Sequence, residues 1–396
     1  MNHIKWLPLL ALTVPMSLFA WGKTGHEVIA QIAYDYLMAQ PNQALYQADY
    51  AALVQSMKAE DFLDDYPPGT NNPVTYENTN YDLAHWPDDL KSEQDYSSYA
   101  WHFEDNLWSF HGMPTILDLQ TVNPSNVTWA VGTMVGILTA SAGTGADMRL
   151  VANPNLRGRA LAYLIHFVGD AHQPLHCSTR VSNEFPTGDV GGNSLGVVYV
   201  GNNSINASAV THAGELHALW DGALSLFGQA QFSGCQYTSP DYVQCLASQI
   251  ERDQPVGQLA WDNPPSITTG QSLSKWAQAW ALQWCGPAYT TDGQSILAVS
   301  PAPEWFPLVQ QNVYVKDGQP FVLSPVNSKL TQSEMYQVSL DDAYFTANNP
   351  VAEQRLAMAG YRLGKILQTV FDVEDQIKRG EETSASSLNV APPGDY

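Results

Sequence analysis

The sequence predicts a mainly α-helical fold, and three observations carry that prediction. Apolar residues recur at helical spacing in three separate runs: Val28, Ile29, Ile32, Ala33 and Leu37; Ala160 to Val168; and Leu356 to Val370. Only two stretches read as strands. Val197 to Val200 precedes Gly201-Asn202-Asn203, and Val313 to Val315 is joined through Asp317 and Gly318 to Phe321 to Leu323, so both are expected to be small β-hairpins on a helical body. Polar, Pro- and Gly-rich connections are expected at Pro67 to Asn80, Phe185 to Asn193 and Pro287 to Pro307, and no internal repeat is visible.

Taken in chain order, Met1 to Lys5 is a positive start, Trp6 to Phe19 an apolar stretch and Ala20 a small residue. That pattern is a secretory signal, residues 1–20, with cleavage expected before Trp21; the apolar run is too short to span a bilayer. Residues 21–380 read as one domain, and 44% apolar with 11% aromatic residues supports a sizeable core. Residues 381–396 lack apolar periodicity and are expected to be a mobile tail. The formal charge is −22, and removal of Lys5 with the signal makes it more negative still. Such a chain has no general attraction for nucleic acid, so stable duplex binding through a basic face is excluded as an expectation. Phosphate chemistry would need local positive charge, and bound metal is the obvious source. Four cysteines in a secreted chain suggest two disulfides among three connectivities. The short loop favours Cys235 with Cys245, leaving Cys177 with Cys285.

His166-Phe-Val-Gly-Asp170 follows the second apolar run, and helical spacing puts His166 and Asp170 on one face. Pro174 then turns the chain so that His176 can face the same cavity, an imidazole, carboxylate and imidazole set that suits zinc. His217 and Asp221 repeat the four-residue spacing beside Trp220. A single such pair is more often a hydrogen-bonded structural histidine; here the pairs accumulate. His85-Trp-Pro-Asp88 and Trp101-His102-Phe103-Glu-Asp105 place acids and histidines among aromatics. A Trp21 freed by cleavage would offer an α-amine and a carbonyl that can chelate one ion, with His26 little more than a helical turn further on. Such an amine ordinarily titrates near 7.7–8.0, within reach of deprotonation by zinc.

In this order, Trp21 with His26, Trp86-Pro-Asp88, His102-Phe103, His166 to Asp170 with Gln173-Pro-Leu-His176, Gly191-Gly-Asn193 and Leu216-His217 with Trp220-Asp221 resemble the motifs of the S1/P1 family of trinuclear zinc nucleases. That family shares its core with bacterial zinc phospholipases C. The likeness spans Trp21 to Asp221 and resumes at Ala359 to Leu363. It implies a multi-helical phospholipase C/nuclease-like fold and three Zn²⁺ ions. The first would be held by Asp88, His102, His166 and Asp170; the second by His176, His217 and Asp221; the third by Trp21 and His26 with Asp170 as a bridge. Lys91 is placed like the family's basic residue that steadies charge developing on phosphate. Phe103 and Asp105 match the pair that stacks on and hydrogen-bonds a nucleobase, and Asn193 joins them in the substrate-binding set.

The resemblance therefore implies a secreted, extracellular or periplasmic, phosphodiesterase. Its expected reaction is metal-hydroxide attack on single-stranded DNA, RNA or a 3′-nucleotide, leaving 5′-phosphorylated products. The chain departs from the family in a longer segment between His176 and His217, in insertions around 224–255 and 290–349, and in its cysteine positions. Two alternatives follow from those departures: a zinc phospholipase C or broad phosphodiesterase acting on phospholipid, and a zinc-stabilised binding protein without catalysis. His3, His85, His111, His172 and His212 match no family role and are assigned to the signal or to structure. Oligomeric state is not legible here.

Overall fold

In the computed structural model, residues 21–58, 82–92, 97–110, 123–139, 154–237, 239, 241–259, 264–268, 271–291, 295–326 and 336–379 are described. The signal, the Pro67 to Asn80 connection, His111 and the tail lie outside them. Eleven α-helices occur among the described residues: α1 Lys23–Met38, α2 Gln43–Lys58, α3 Asp82–Ser92, α4 Val127–Thr139, α5 Pro154–Asp170, α6 Ser204–Ala213, α7 Leu216–Asp221, α8 Tyr242–Asp253, α9 Leu273–Cys285, α10 Trp305–Leu308 and α11 Asp342–Lys378. None is long and apolar enough to cross a membrane. The three periodic runs sit in α1, α5 and α11, and in α1 the buried face is the one its spacing marks: Val28, Ile29, Ile32, Ala33 and Leu37. This face packs on the 37-residue α11. Helix α5 is covered by α2, α3 and α4, and α4 lies against α9, whose Trp276, Trp280 and Trp284 repeat every fourth residue and are all buried.

The strands hold one correction. Val197 to Val200 forms no hairpin: Leu195–Tyr199 pairs in parallel with Tyr336–Leu340, which pairs antiparallel with Ser324–Pro325. Gly201-Asn202-Asn203 starts a helix instead of turning a hairpin, because the Asn203 side chain accepts from Ile205 N and Asn206 N as the N-cap of α6. The second hairpin is present but shorter than expected. Val315–Lys316 pairs with Gln319–Pro320, and Asp317 and Gly318 take φ of 53° and 72° at its turn. The connection from Pro287 to Pro307 contains a further hairpin, Tyr289–Thr291 with Ile296–Ala298, and the start of α10.

Both disulfides pair as expected. Cys235–Cys245 closes a short loop, and Cys177–Cys285 joins residues 108 apart, tying the turn after His176 to the end of α9. A loop of that length stabilises by about 4–5 kcal/mol in the chain-entropy account.

Behind the helices carrying the histidines, Arg355 and Arg362 of α11 converge on Glu304. Arg355 Nη1 donates to Glu304 Oε2 at 2.6 Å, Arg362 Nη1 donates to the same oxygen at 2.8 Å, and Arg362 Nη2 pairs with Oε1. Arg362 Nη1 also donates to His172 Nε2 at 2.8 Å, while His172 Nδ1 donates to Val168 O at 2.7 Å, so this histidine is a structural pin. Burial pushes the Glu304 carboxyl up, but the two guanidiniums more than reverse that and hold it at about 2. Glu304→Gln is expected to destabilise the fold by about 3–5 kcal/mol, because two buried guanidiniums lose their counter-charge. Glu304 titrates lower folded than unfolded, so its contribution is complete above the ordinary glutamate range and fades as pH falls toward about 2. Urea unfolding at pH 7 and pH 3 checks both statements; equal differences between wild type and variant at the two pH values would contradict them.

Candidate metal centre

Six chain segments converge on one buried site. Helix α1 brings His26, α3 brings Asp88, the 3₁₀ turn Tyr99–His102 ends in His102, α5 brings His166 and Asp170, the 3₁₀ turn Pro174–Cys177 brings His176, and α7 brings His217 and Asp221. None of these side chains is more than 6% exposed. Gly169 permits the approach of α1 to α5, because a Cβ there would stand 2.7 Å from His26 Nδ1.

The first cluster comprises His102 Nδ1, His166 Nε2, Asp88 Oδ1 and Asp170 Oδ2. His102 Nδ1 is 3.1 Å from both His166 Nε2 and Asp170 Oδ2, and 3.6 Å from Asp88 Oδ1. His166 Nε2 is 3.5 Å from each carboxylate. Four ligands around zinc at 2.0–2.1 Å stand about 3.3 Å apart, so His102, His166 and Asp170 have the spacing of ligands to one ion, while Asp88 groups with His26 and His166. In the second cluster His176 Nε2 and His217 Nε2 are 3.1 Å apart, and Asp221 oxygens lie 3.7 and 3.4 Å from them. At the third, His26 Nε2 is 3.3 Å from Asp170 Oδ1. The two oxygens of Asp170 thus face different clusters.

Proton placement agrees with metal binding. His166 Nδ1 is 2.7 Å from Ala84 O, His176 Nδ1 is 2.7 Å from His102 O, and His217 Nδ1 is 2.8 Å from Gly191 O. A carbonyl only accepts, so each Nδ1 carries the proton and each Nε2 lone pair faces the cluster. Two such lone pairs at 3.1 Å repel unless a cation lies between them. Neither ring nitrogen of fully buried His26 makes a hydrogen bond. Burial and the neighbouring His166 hold its pKa well below the imidazole range, which leaves the neutral form that ligates metal. The donor set therefore fits metal ions.

Trp21 is fully buried, and Gly22 N donates to Asp221 O at 2.6 Å, which joins the start of α1 to the end of α7. Lys91 lies in α3 one turn beyond Asp88; its side chain is outside the described residues. One residue was not singled out from sequence. Gln173 is fully buried, donates through Nε2 to Asp221 Oδ1 at 2.7 Å and accepts from Leu175 N at 2.6 Å. Its signal in the sequence is its position between Asp170 and His176, in Gln173-Pro-Leu-His176.

The S1/P1 nuclease family model matches residues 21–372, nearly the whole chain and the entire set of clustered residues. The chain belongs to the S1/P1 nuclease family. Among relatives, it is 23% identical to Endonuclease 1 of Arabidopsis thaliana over 381 residues, covering 94% of this chain and 93% of that protein. It is also 23% identical to Nuclease S1 of Aspergillus oryzae over 376 residues, covering 92% and 98%. Endonuclease 5 of Arabidopsis thaliana is 20% identical over 361 residues.

In this S1/P1 family member a slot of about 50 Å³ opens beside the second cluster, lined by Tyr99, Phe103, Asp105, Leu175, Val190 and Asn193 together with His102, His176 and His217. Phe103 is half-buried and meets Tyr99 edge-on at 5.3 Å. Asp105 Oδ1 accepts from Thr179 Oγ1 at 2.9 Å, and burial pushes its carboxyl up. Asn193 Nδ2 donates to Val190 O at 2.8 Å within a turn whose Val190, Gly191 and Gly192 all have positive φ. Gly191 is required there, since a Cβ would stand 2.5 Å from Leu175 O, and its own carbonyl orients His217. All three expected substrate residues therefore line one slot beside the clusters.

Proposed function

We propose that the chain is a secreted, zinc-dependent endonuclease that hydrolyses single-stranded nucleic acid or 3′-nucleotides to 5′-phosphorylated products. The observation that carries the reading is Asp170, whose two oxygens face two clusters next to a slot with an aromatic wall. Asp88, His102, His166 and Asp170 would hold one ion, His176, His217 and Asp221 a second, and His26 with the freed N-terminus of Trp21 and the shared Asp170 a third. Zinc ions held there would supply a nucleophile usable near neutral pH and stabilise charge developing on the phosphate. The chain's own work is positional. Asp170 ties two clusters to one distance, Gln173 fixes the Asp221 carboxylate by holding Oδ1, and the three Nδ1 bonds to carbonyls lock the imidazoles. Lys91 is assigned the added positive charge at the phosphate, and Phe103, Asp105 and Asn193 the nucleobase.

A base reaches Phe103 only when it is free of a duplex, so single strands are the substrate that fits. Phe103→Ala is expected to raise KM for oligonucleotides about tenfold, the equivalent of one lost stacking contact, and to leave hydrolysis of bis(4-nitrophenyl) phosphate nearly unchanged. Steady-state kinetics on both substrates, with elemental analysis for zinc, tests this. Equal losses on both would reduce Phe103 to a packing residue. Phosphatidylcholine belongs in the panel because Val190, 47% exposed, gives the slot an apolar lip; lipid turnover above oligonucleotide turnover would favour a phospholipase C.

A further inference from the structure

The slot and the second cluster share one hydroxyl. Thr179 Oγ1 donates to Asp105 Oδ1 at 2.9 Å and accepts from Gly191 N at 3.2 Å. Asp105 lines the slot, and the Gly191 carbonyl holds His217 Nδ1 at 2.8 Å. One side chain therefore touches both the carboxylate assigned to the base and the turn that orients a cluster histidine. Thr179 is itself buried and lies behind the slot wall. Its backbone is fixed as well: Thr179 N donates to Asn106 O at 2.9 Å, and the residue stands in register with Leu107 in a short parallel ladder. On its other side Gly188, at φ 99°, makes room for the methyl group, since a Cβ there would stand 2.3 Å from Thr179 Cγ2.

The direction of the two bonds follows from their chemistry. A hydroxyl has one proton and two lone pairs, and an amide N–H only donates. Gly191 N therefore takes up a lone pair, and the proton is left for Asp105. That bond is the only hydrogen bond of the Asp105 carboxylate among the described residues. It commits Oδ1 and leaves Oδ2 as the acceptor for a ligand. The turn has further support, because Asp189 O accepts from Gly192 N and Ser194 N, both at 3.1 Å, and Val190 O accepts from Asn193 N at 3.1 Å. Loss of the Thr179 hydroxyl thus releases Asp105 while Gly191 and His217 stay in place.

We infer that Thr179 is a positioning residue for nucleobase capture, acting through the Asp105 carboxylate that it holds in the slot. The role in substrate capture rests on the nuclease reading; the hold on Asp105 does not. Two substitutions separate the hydroxyl from the methyl: Thr179→Val keeps the shape and removes the hydroxyl, and Thr179→Ser does the reverse. In the zinc-loaded protein Thr179→Val is expected to raise KM for a single-stranded oligonucleotide about tenfold, with kcat and the hydrolysis of bis(4-nitrophenyl) phosphate within about twofold of wild type. Thr179→Ser is expected to match wild type. In an Asp105→Ala background Thr179→Val should add no further loss, because the group it positions is gone. A packing role would give the opposite order, with the Ser variant impaired and the Val variant intact. An unchanged KM in Thr179→Val, a Ser variant as impaired as the Val variant, or additive losses in the double variant would each overturn the inference. If the wild-type protein cleaves no oligonucleotide, the nuclease reading fails, and titration calorimetry with adenosine 5′-monophosphate decides the role of Thr179 separately. Binding weakened about tenfold by Val and unmoved by Ser upholds it; equal binding by all three proteins overturns it.

Discussion

Asp170→Asn is expected to lower kcat/KM for an oligonucleotide by about 10³-fold, or about 4 kcal/mol of transition-state stabilisation. The reason is geometric. Asp170 Oδ2 is 3.1 Å from His102 Nδ1, and Asp170 Oδ1 is 3.3 Å from His26 Nε2. One neutral amide therefore removes negative charge from two clusters at once, and its NH₂ presents hydrogens where a ligand lone pair is needed. The side chain is isosteric and wholly buried in α5, so the fold should survive the change. Asp221→Asn touches a single cluster, and Gln173 still binds its Oδ1 position, so its loss should be smaller. Elemental analysis of the folded variant, with kinetics, checks the expectation. Zinc near three per chain with undiminished turnover would remove the bridging role.

The contrast between these variants shows which parts of the site were legible in the sequence. Helical periodicity is local, so His166 with Asp170 and His217 with Asp221 could be placed on common faces from spacing alone, and α5 and α7 carry them. What turns two such pairs into a centre is the packing of α1, α3 and the Tyr99–His102 turn around them, and no local rule gives that. Family resemblance supplied it in advance. Gln173 went without a role because a buried amide gains meaning only from its partner Asp221, 48 residues on. The Leu195–Tyr199 strand differs from the expected hairpin for a related reason: its partner, Tyr336–Leu340, lies far along the chain, and the following Asn203 serves a helix cap and not a turn.

Retaining a Met ahead of Trp21 is expected to lower zinc from three to two per chain and turnover by about 10²-fold, and the uncut chain should behave alike. In the proposed ligand set the third ion takes two side chains, His26 and the shared Asp170, whereas the first takes four, so the third would depend most on the chain terminus. A free α-amine near its ordinary pKa of 7.7–8.0 yields a lone pair to metal readily; the same nitrogen in an amide does not. The backbone has little room to compensate. Trp21 is fully buried, Gly25 would place a Cβ 2.7 Å from Trp21 Cβ, and Gly22 N is held to Asp221 O at 2.6 Å. The extra residue should leave the Trp21 ring in its core position, so the loss would be one of ligation and not of folding. Near-ultraviolet circular dichroism should therefore be unchanged while zinc content and activity fall, and removal of the Met by an aminopeptidase should restore both. An extended protein that binds three zinc ions and turns over normally would show that the amine of Trp21 is not a ligand.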